Sequence, residues 1–129
     1  QIRINSYGGY VYDAFGTINH MKQCESNTIS IIDGYAASAG TLISCVADER
    51  YMGEYSYMLI HQLSGVCWGS YEQMKDDIEN SKSLMDRICN IYEQHTTIPK
   101  TQLSKILKHD LWWDAKKCLK YGLIDDILT

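Results

Sequence analysis

The chain is poor in proline, with Pro99 its only one, and no proline-rich, repetitive or low-complexity stretch divides it. Two domains would have no visible seam, and 129 residues are about the length of one. No apolar run approaches the roughly 20 residues that a membrane-spanning helix needs, so no membrane partner is expected. Positive charge is scarce: 12 Lys and Arg against 16 Asp and Glu leave a net charge of −4. Nucleic acid is not an expected partner either, because phosphate binding wants clustered Lys and Arg. There is no G-x-G-x-x-G and no phosphate loop, so no nucleotide cofactor is expected. The five cysteines, Cys24, Cys45, Cys67, Cys89 and Cys118, are widely spaced, odd in number and contain no C-x-x-C pair. That pattern fits reduced thiols in a reducing compartment better than a disulfide framework. His20 and Cys24 could share a helical face, but two ligands without a second pair do not make a zinc site, so no metal is expected.

What is present has ordinary globular balance, 45% hydrophobic and 22% charged, enough for one core. Gln1 to Asn5 alternates and reads as a strand end, already under way at the first residue, which leads us to expect a preceding segment. After the turn Ser6-Tyr7-Gly8-Gly9, residues Val11, Ala14, Phe15, Ile18 and Met21 recur at helical spacing to about Lys22. Thr28 to Asp33 is a short β-branched strand, Gly34 to Gly40 a run of small residues, and Thr41 to Ala47 a second helix. Short strands are expected at Tyr51-Met52 and from Tyr57 to Gln62. This alternation is that of an α/β fold with largely parallel strands.

The second half is helical. Ser70, three residues before Gln73, forms a capping box. Tyr71, Met74, Ile78, Ser81, Met85, Ile88 and Tyr92 then follow in steps of three and four, a helix to about Gln94 of roughly 36 Å. Such a helix either packs along its own domain or projects and packs its seam on another subunit. Thr101 to Leu107 is a short helix, and Asp114 caps another over Ala115 to Lys120 that Gly122 ends. Leu123, Ile124, Ile127 and Leu128 return the chain to the sheet or the core.

Three places could carry chemistry. Ser38 stands among Ala36, Ala37, Ala39 and Gly40 at a strand-to-helix junction, where small neighbours let a substrate carbonyl approach. The helix start supplies backbone N–H groups and a positive dipole end, so the N–H of Ala39 and that of Gly9 could hold an oxyanion. His61 closes an apolar strand, and Asp110 stands alone in a late loop. Each also has a plain structural use: a cap, a turn, a hydrogen-bonded core histidine, a solvated charge. Spacing cannot join them; only a fold can.

Five ordered segments supply a resemblance: INSYGG, GYAASAGT, MLIHQ, HDLWWDA and YGLIDDILT. They resemble INSPGG, GxAASMGA, MIHQP, RDRFLSA and YGLVDxI of the ClpP family of Clp-type peptidase subunits, in the same order and over essentially the whole chain. The resemblance implies the α/β ClpP/crotonase-like fold of repeated β-α-β units in a single domain, 1–129. Its head would cover about 1–69 and 100–129 and its projecting handle helix about 70–95. It implies a serine endopeptidase with Ser38 as nucleophile, His61 as base and Asp110 as orienting acid, the oxyanion donors falling on Gly9 and Ala39. It further implies peptide or unfolded-protein substrates, a homo-oligomer of heptameric rings stacked in pairs as a tetradecamer, and an AAA+ unfoldase partner. The cytoplasm or an organelle interior is the implied location, and a missing N-terminal part would line the axial entrance. Tyr7 in place of Pro, Ala39 in place of Met, Leu63 in place of Pro and the pair Trp112-Trp113 depart from the family pattern. Two other readings stay open. One is a phage-type head-maturation protease on the same fold, and the other a catalytically silent ring subunit.

Overall fold

The computed structural model describes residues 1–129. Strand β1 (Ile2–Ser6) leads into helix α1 (Val11–Gln23), then β2 (Ile29–Ala37), α2 (Ala39–Cys45), β3 (Glu49–Gly53) and β4 (Tyr57–Leu59). The second half holds α3 (Tyr71–His95), α4 (Lys100–Leu107), β5 (Trp113–Asp114), α5 (Ala115–Lys120) and β6 (Asp126–Leu128). β1–β2, β2–β3, β2–β4 and β3–β6 pair in parallel and only β4–β5 is antiparallel, as expected of β-α-β units. The architecture is the mixed α/β fold that the sequence leads one to expect, and its sheet is curled.

The curl comes from β2, which has three partners. β1 accompanies it along one edge, from Ile2 opposite Ser30 to Ser6 opposite Ala36, with a register shift between Ile4 and Ser6. The other edge is shared, β3 taking Ile29–Ile32 and β4 taking Tyr35–Ala37. The change of partner occurs at Gly34, whose φ of +97° suits glycine and whose Cβ would come 2.8 Å from Asn5 Oδ1. Buried Ser56 clasps the bend, accepting from the Gly34 N–H at 2.8 Å and donating to the Ile32 carbonyl at 3.1 Å.

Here the expected boundaries need correction. The small-residue run Gly34 to Gly40 is mostly strand, since β2 continues to Ala37, and α2 begins at Ala39, not Thr41. The sequence separates this run from the strand before it and the helix after it. The small side chains serve close packing, since Ala36, Ala37, Ala39, Gly40 and Thr41 are all buried. β4 ends at Leu59, so His61 lies beyond the strand that was expected to reach Gln62.

The core joins Ile4, Ile18, Ile32, Leu42, Met52 and Met58 of the first half to Ile88, Tyr92, Leu103, Leu107 and Leu123 of the second. α3 starts at the expected capping box, Ser70 Oγ accepting from the Gln73 N–H and Gln73 Oε1 from the Ser70 N–H. It touches the core only through its second half: Ile88 and Tyr92 are buried, while Tyr71, Met74 and Ile78 face outward. Arg50 locks the far side, pairing with Asp125 at 2.7 Å and donating to the carbonyls of Gly122 and His95. No helix is long and apolar enough to cross a membrane.

Candidate active site

Ser38 occupies the single-residue junction between β2 and α2. Its φ of 55° and ψ of −122° make it the only non-glycine residue with positive φ. Such a conformation costs of order 1–3 kcal/mol and persists only where surroundings impose it. They do so from both sides. The Ser38 N–H donates to the Leu59 carbonyl at 3.0 Å, extending the β2–β4 pairing past the strand. The Ser38 carbonyl accepts from the N–H groups of Thr41 and Leu42 and from Thr41 Oγ1, which starts α2. A sharp strand-to-helix turn of this kind pushes its side chain out of the sheet.

Gly8 presses against the same turn. Its φ is +99°, and a Cβ there would lie 2.7 Å from the Ala37 carbonyl oxygen and 2.9 Å from Ser38 Cβ. Gly9 is different, for a Cβ on it would meet nothing within 4 Å. Of the Gly-Gly pair, close approach thus requires the first, which leaves the second next to Ser38 with a free backbone. Neither the Gly9 N–H nor the Ala39 N–H has an acceptor in the protein's hydrogen-bond network. Unpaired N–H groups are uncommon at a packed junction, and these two flank Ser38, Ala39 in the chain and Gly9 in the fold.

His61 is carried by the extended chain after β4. The Gln62 N–H donates to the Leu107 carbonyl at 2.7 Å, and the Leu63 N–H meets Met85 Sδ at 3.1 Å. The His61 segment is thereby anchored to the end of α4 and to α3. Ser38, His61 and Gly9 line one cleft of about 190 Å³, floored by Leu42, Ile88 and Tyr92. Ala39 lines a second hollow, with Gly8, Gly9 and Gly40.

Asp110 follows α4, and its Oδ1 is 3.7 Å from His61 Nδ1. The two side chains differ in solvation, His61 being 20% exposed and Asp110 83%. At 3.7 Å the pair is in ionic reach but longer than a hydrogen bond, and the Ser38 hydroxyl and His61 share the cleft without one between them. Catalytic hydrogen bonds in unliganded enzymes are often long and tighten around substrate.

Across residues 1–129 the chain matches the family model described as Clp protease. The chain belongs to the Clp protease family. It is 28% identical over 130 residues to the ATP-dependent Clp protease proteolytic subunit of Deinococcus radiodurans, covering 99% of this chain and 64% of that protein. It is 34% identical over 129 residues to the subunit of the same name from Streptococcus mutans, covering 97% and 66%. With ATP-dependent Clp protease proteolytic subunit 1 of Protochlamydia amoebophila the identity is 30% over 130 residues, covering 98% and 63%. The chain therefore spans just under two thirds of the length of these Clp relatives.

Two features of this Clp-family site escape a reading of the sequence. One is the contact of Thr41 with Tyr92, whose residues are 51 apart in the chain. Its only sequence trace is a polar ring closing the apolar seam of α3. The other is an aromatic trio, Tyr7, Tyr35 and Trp112, with ring centroids 4.5–6.3 Å apart. It ties the loop carrying Asp110 to the residue before Gly8. The substitutions at Tyr7 and Trp112 were visible as departures from the family pattern, but their meeting was not.

Proposed function

We propose that the chain is a serine endopeptidase subunit in which Ser38 attacks, His61 is general base and then general acid, and Asp110 orients the imidazole. The observation that carries this reading is the strained Ser38 turn, opening into the same cleft as His61 and flanked by two N–H groups without acceptors. In that arrangement His61 takes the Ser38 proton as Oγ adds to a peptide carbonyl, and Asp110 stabilises the imidazolium. The developing oxyanion is held by the N–H groups of Gly9 and Ala39, donors whose removal typically costs about 3–4 kcal/mol of transition-state stabilisation. His61 returns its proton to the leaving amine, and water repeats the sequence on the acyl-enzyme. No step calls for a metal or an organic cofactor.

The small cleft fits an extended, unfolded peptide better than a folded protein. The exposed stripe Tyr71, Met74 and Ile78 supports a further reading of α3 as the handle of a ring-forming subunit, joining heptameric rings in pairs. Unfolded protein would then reach the cleft from an unfoldase partner. The relatives' name, ATP-dependent Clp protease proteolytic subunit, agrees with such a partnership.

Labelling with a fluorophosphonate probe tests the reading. The native chain in its assembled form should give one adduct per subunit and Ser38→Ala none. A labelled Ser38→Ala variant, or an assembled native chain that does not label, sinks it. Light scattering tests assembly separately, since a strict monomer at high concentration contradicts the handle.

A further inference from the structure

The hydrogen bonds behind Ser38 converge on its carbonyl. Thr41 is fully buried; its Oγ1 lies 2.6 Å from the Ser38 carbonyl oxygen and 2.6 Å from the Tyr92 hydroxyl. A threonine hydroxyl has one proton and a carbonyl oxygen can only accept, so that proton goes to Ser38. Tyr92 must then be the donor to Thr41. Its ring is buried in the floor of the cleft, and burial pushes its phenol well above the ordinary tyrosine range, so it remains a protonated donor. The donors therefore run one way, from α3 through Thr41 to the Ser38 turn.

The peptide unit is planar, so the Ser38 carbonyl and the Ala39 N–H are opposite ends of one rigid plate. Whatever fixes the direction of the carbonyl fixes the direction of the N–H. A hydrogen bond accepted by the carbonyl also polarises the N–H of its own amide. We infer that Tyr92 and Thr41 are positioning residues that aim and polarise the Ala39 N–H as an oxyanion donor, acting through the Ser38–Ala39 peptide. The inference rests on the peptidase reading of the site. Of the two buried hydroxyl protons, the Thr41–Tyr92 bond uses only that of Tyr92, and the Thr41 proton needs an acceptor of its own. The second bond goes to a carbonyl that already has two backbone donors, Thr41 N–H at 3.0 Å and Leu42 N–H at 3.4 Å. What that third donor adds is direction and polarisation of one particular amide.

The test compares the assembled native chain with Tyr92→Phe, Thr41→Val and the double variant. Fluorophosphonate end-point labelling counts competent sites, a fluorogenic peptide gives kcat and KM, and a peptide aldehyde reports on the oxyanion position through its hemiacetal oxygen. Thr41→Val alone strands the Tyr92 hydroxyl and should melt lowest, whereas the double variant removes both hydroxyls and leaves neither orphaned. Per labelled site, the double variant should show a kcat roughly tenfold lower, an unchanged KM and aldehyde inhibition weakened by a similar factor. Thr41→Ser, which keeps the hydroxyl, should restore kcat. Unchanged kcat and aldehyde affinity per labelled site in the double variant would overturn the relay and leave the peptidase reading standing. A native chain that does not label overturns that reading, and the relay falls with it.

Discussion

Ser38 and Asp110 stand in contrasting surroundings. Ser38 sits at the head of a helix in which all residues but Ile43 are buried, and it is pinned by the Leu59 carbonyl, by Gly8 and by Thr41. Asp110 stands on a solvent-facing loop, 83% exposed, held by the ends of α4 and β5 and by the edge-on packing of Trp112 against Tyr7 and Tyr35. One side of the site is built from core and resists change; the other is built on surface and can move without disturbing the fold. On the proposed reading, catalysis and stability depend on the same atoms at the Ser38 turn, whereas at Asp110 they are separable.

The largest effect should come from the proposed nucleophile. Ser38→Ala is expected to lower peptide turnover by on the order of 10⁶-fold. Ser38→Gly should be equally inactive yet more stable than Ser38→Ala by about 1 kcal/mol in urea unfolding, because glycine tolerates φ of 55°. Equal stability of the two variants would break the claim that the turn is strained. Gly8→Ala comes next, since its φ of +99° and a Cβ 2.7 Å from the Ala37 oxygen should cost about 3 kcal/mol of stability and activity with it.

On the other side the two readouts should part. Asp110→Asn should cut kcat roughly hundredfold, less than the about 10⁴-fold known for a buried triad aspartate, while the melting temperature stays within error. A large loss of stability would show that the loop is not the separable half. Trp112→Ala should cost about 1 kcal/mol from the lost aromatic contacts and lower kcat several-fold by loosening Asp110. Trp112→Phe should recover most of both.

The smallest effect concerns a carboxylate that serves the fold alone. The Asp125 carboxyl is held below the usual carboxylate range, chiefly by its hydrogen bond from Arg50. In the unfolded chain it titrates near 4, so its contribution is fully present above about pH 4 and is lost as pH falls through the lower folded-state value. Asp125→Asn should therefore flatten the acid limb of the melting-temperature profile below about pH 4. At neutral pH it should cost less than about 1 kcal/mol, since the side chain is 46% exposed and screened. Peptide turnover per folded subunit should not change.

Local rules made much of this molecule readable from its residues. The capping box at Ser70, the seam of α3, the Asp114 cap and Gly122 with its φ of +71° each depend on neighbours within a few positions. The ordered segments around Gly9, Ser38, His61 and Asp110 named the candidate residues without a fold. Tertiary structure decided the rest. That β2 bends at Gly34 and changes partners follows from competition between β3 and β4 for one edge, a contest no local pattern records. That most of this run of small residues belongs to the packed strand β2 follows from what covers it. The strained φ of Ser38 exists only because Leu59, Gly8 and Thr41 meet there from different parts of the chain. Which residues could do chemistry was already legible along the chain, since residue type and nearest neighbours are enough for that. Their geometry belongs to the folded chain, because angles and distances among distant residues are set by packing the whole core at once.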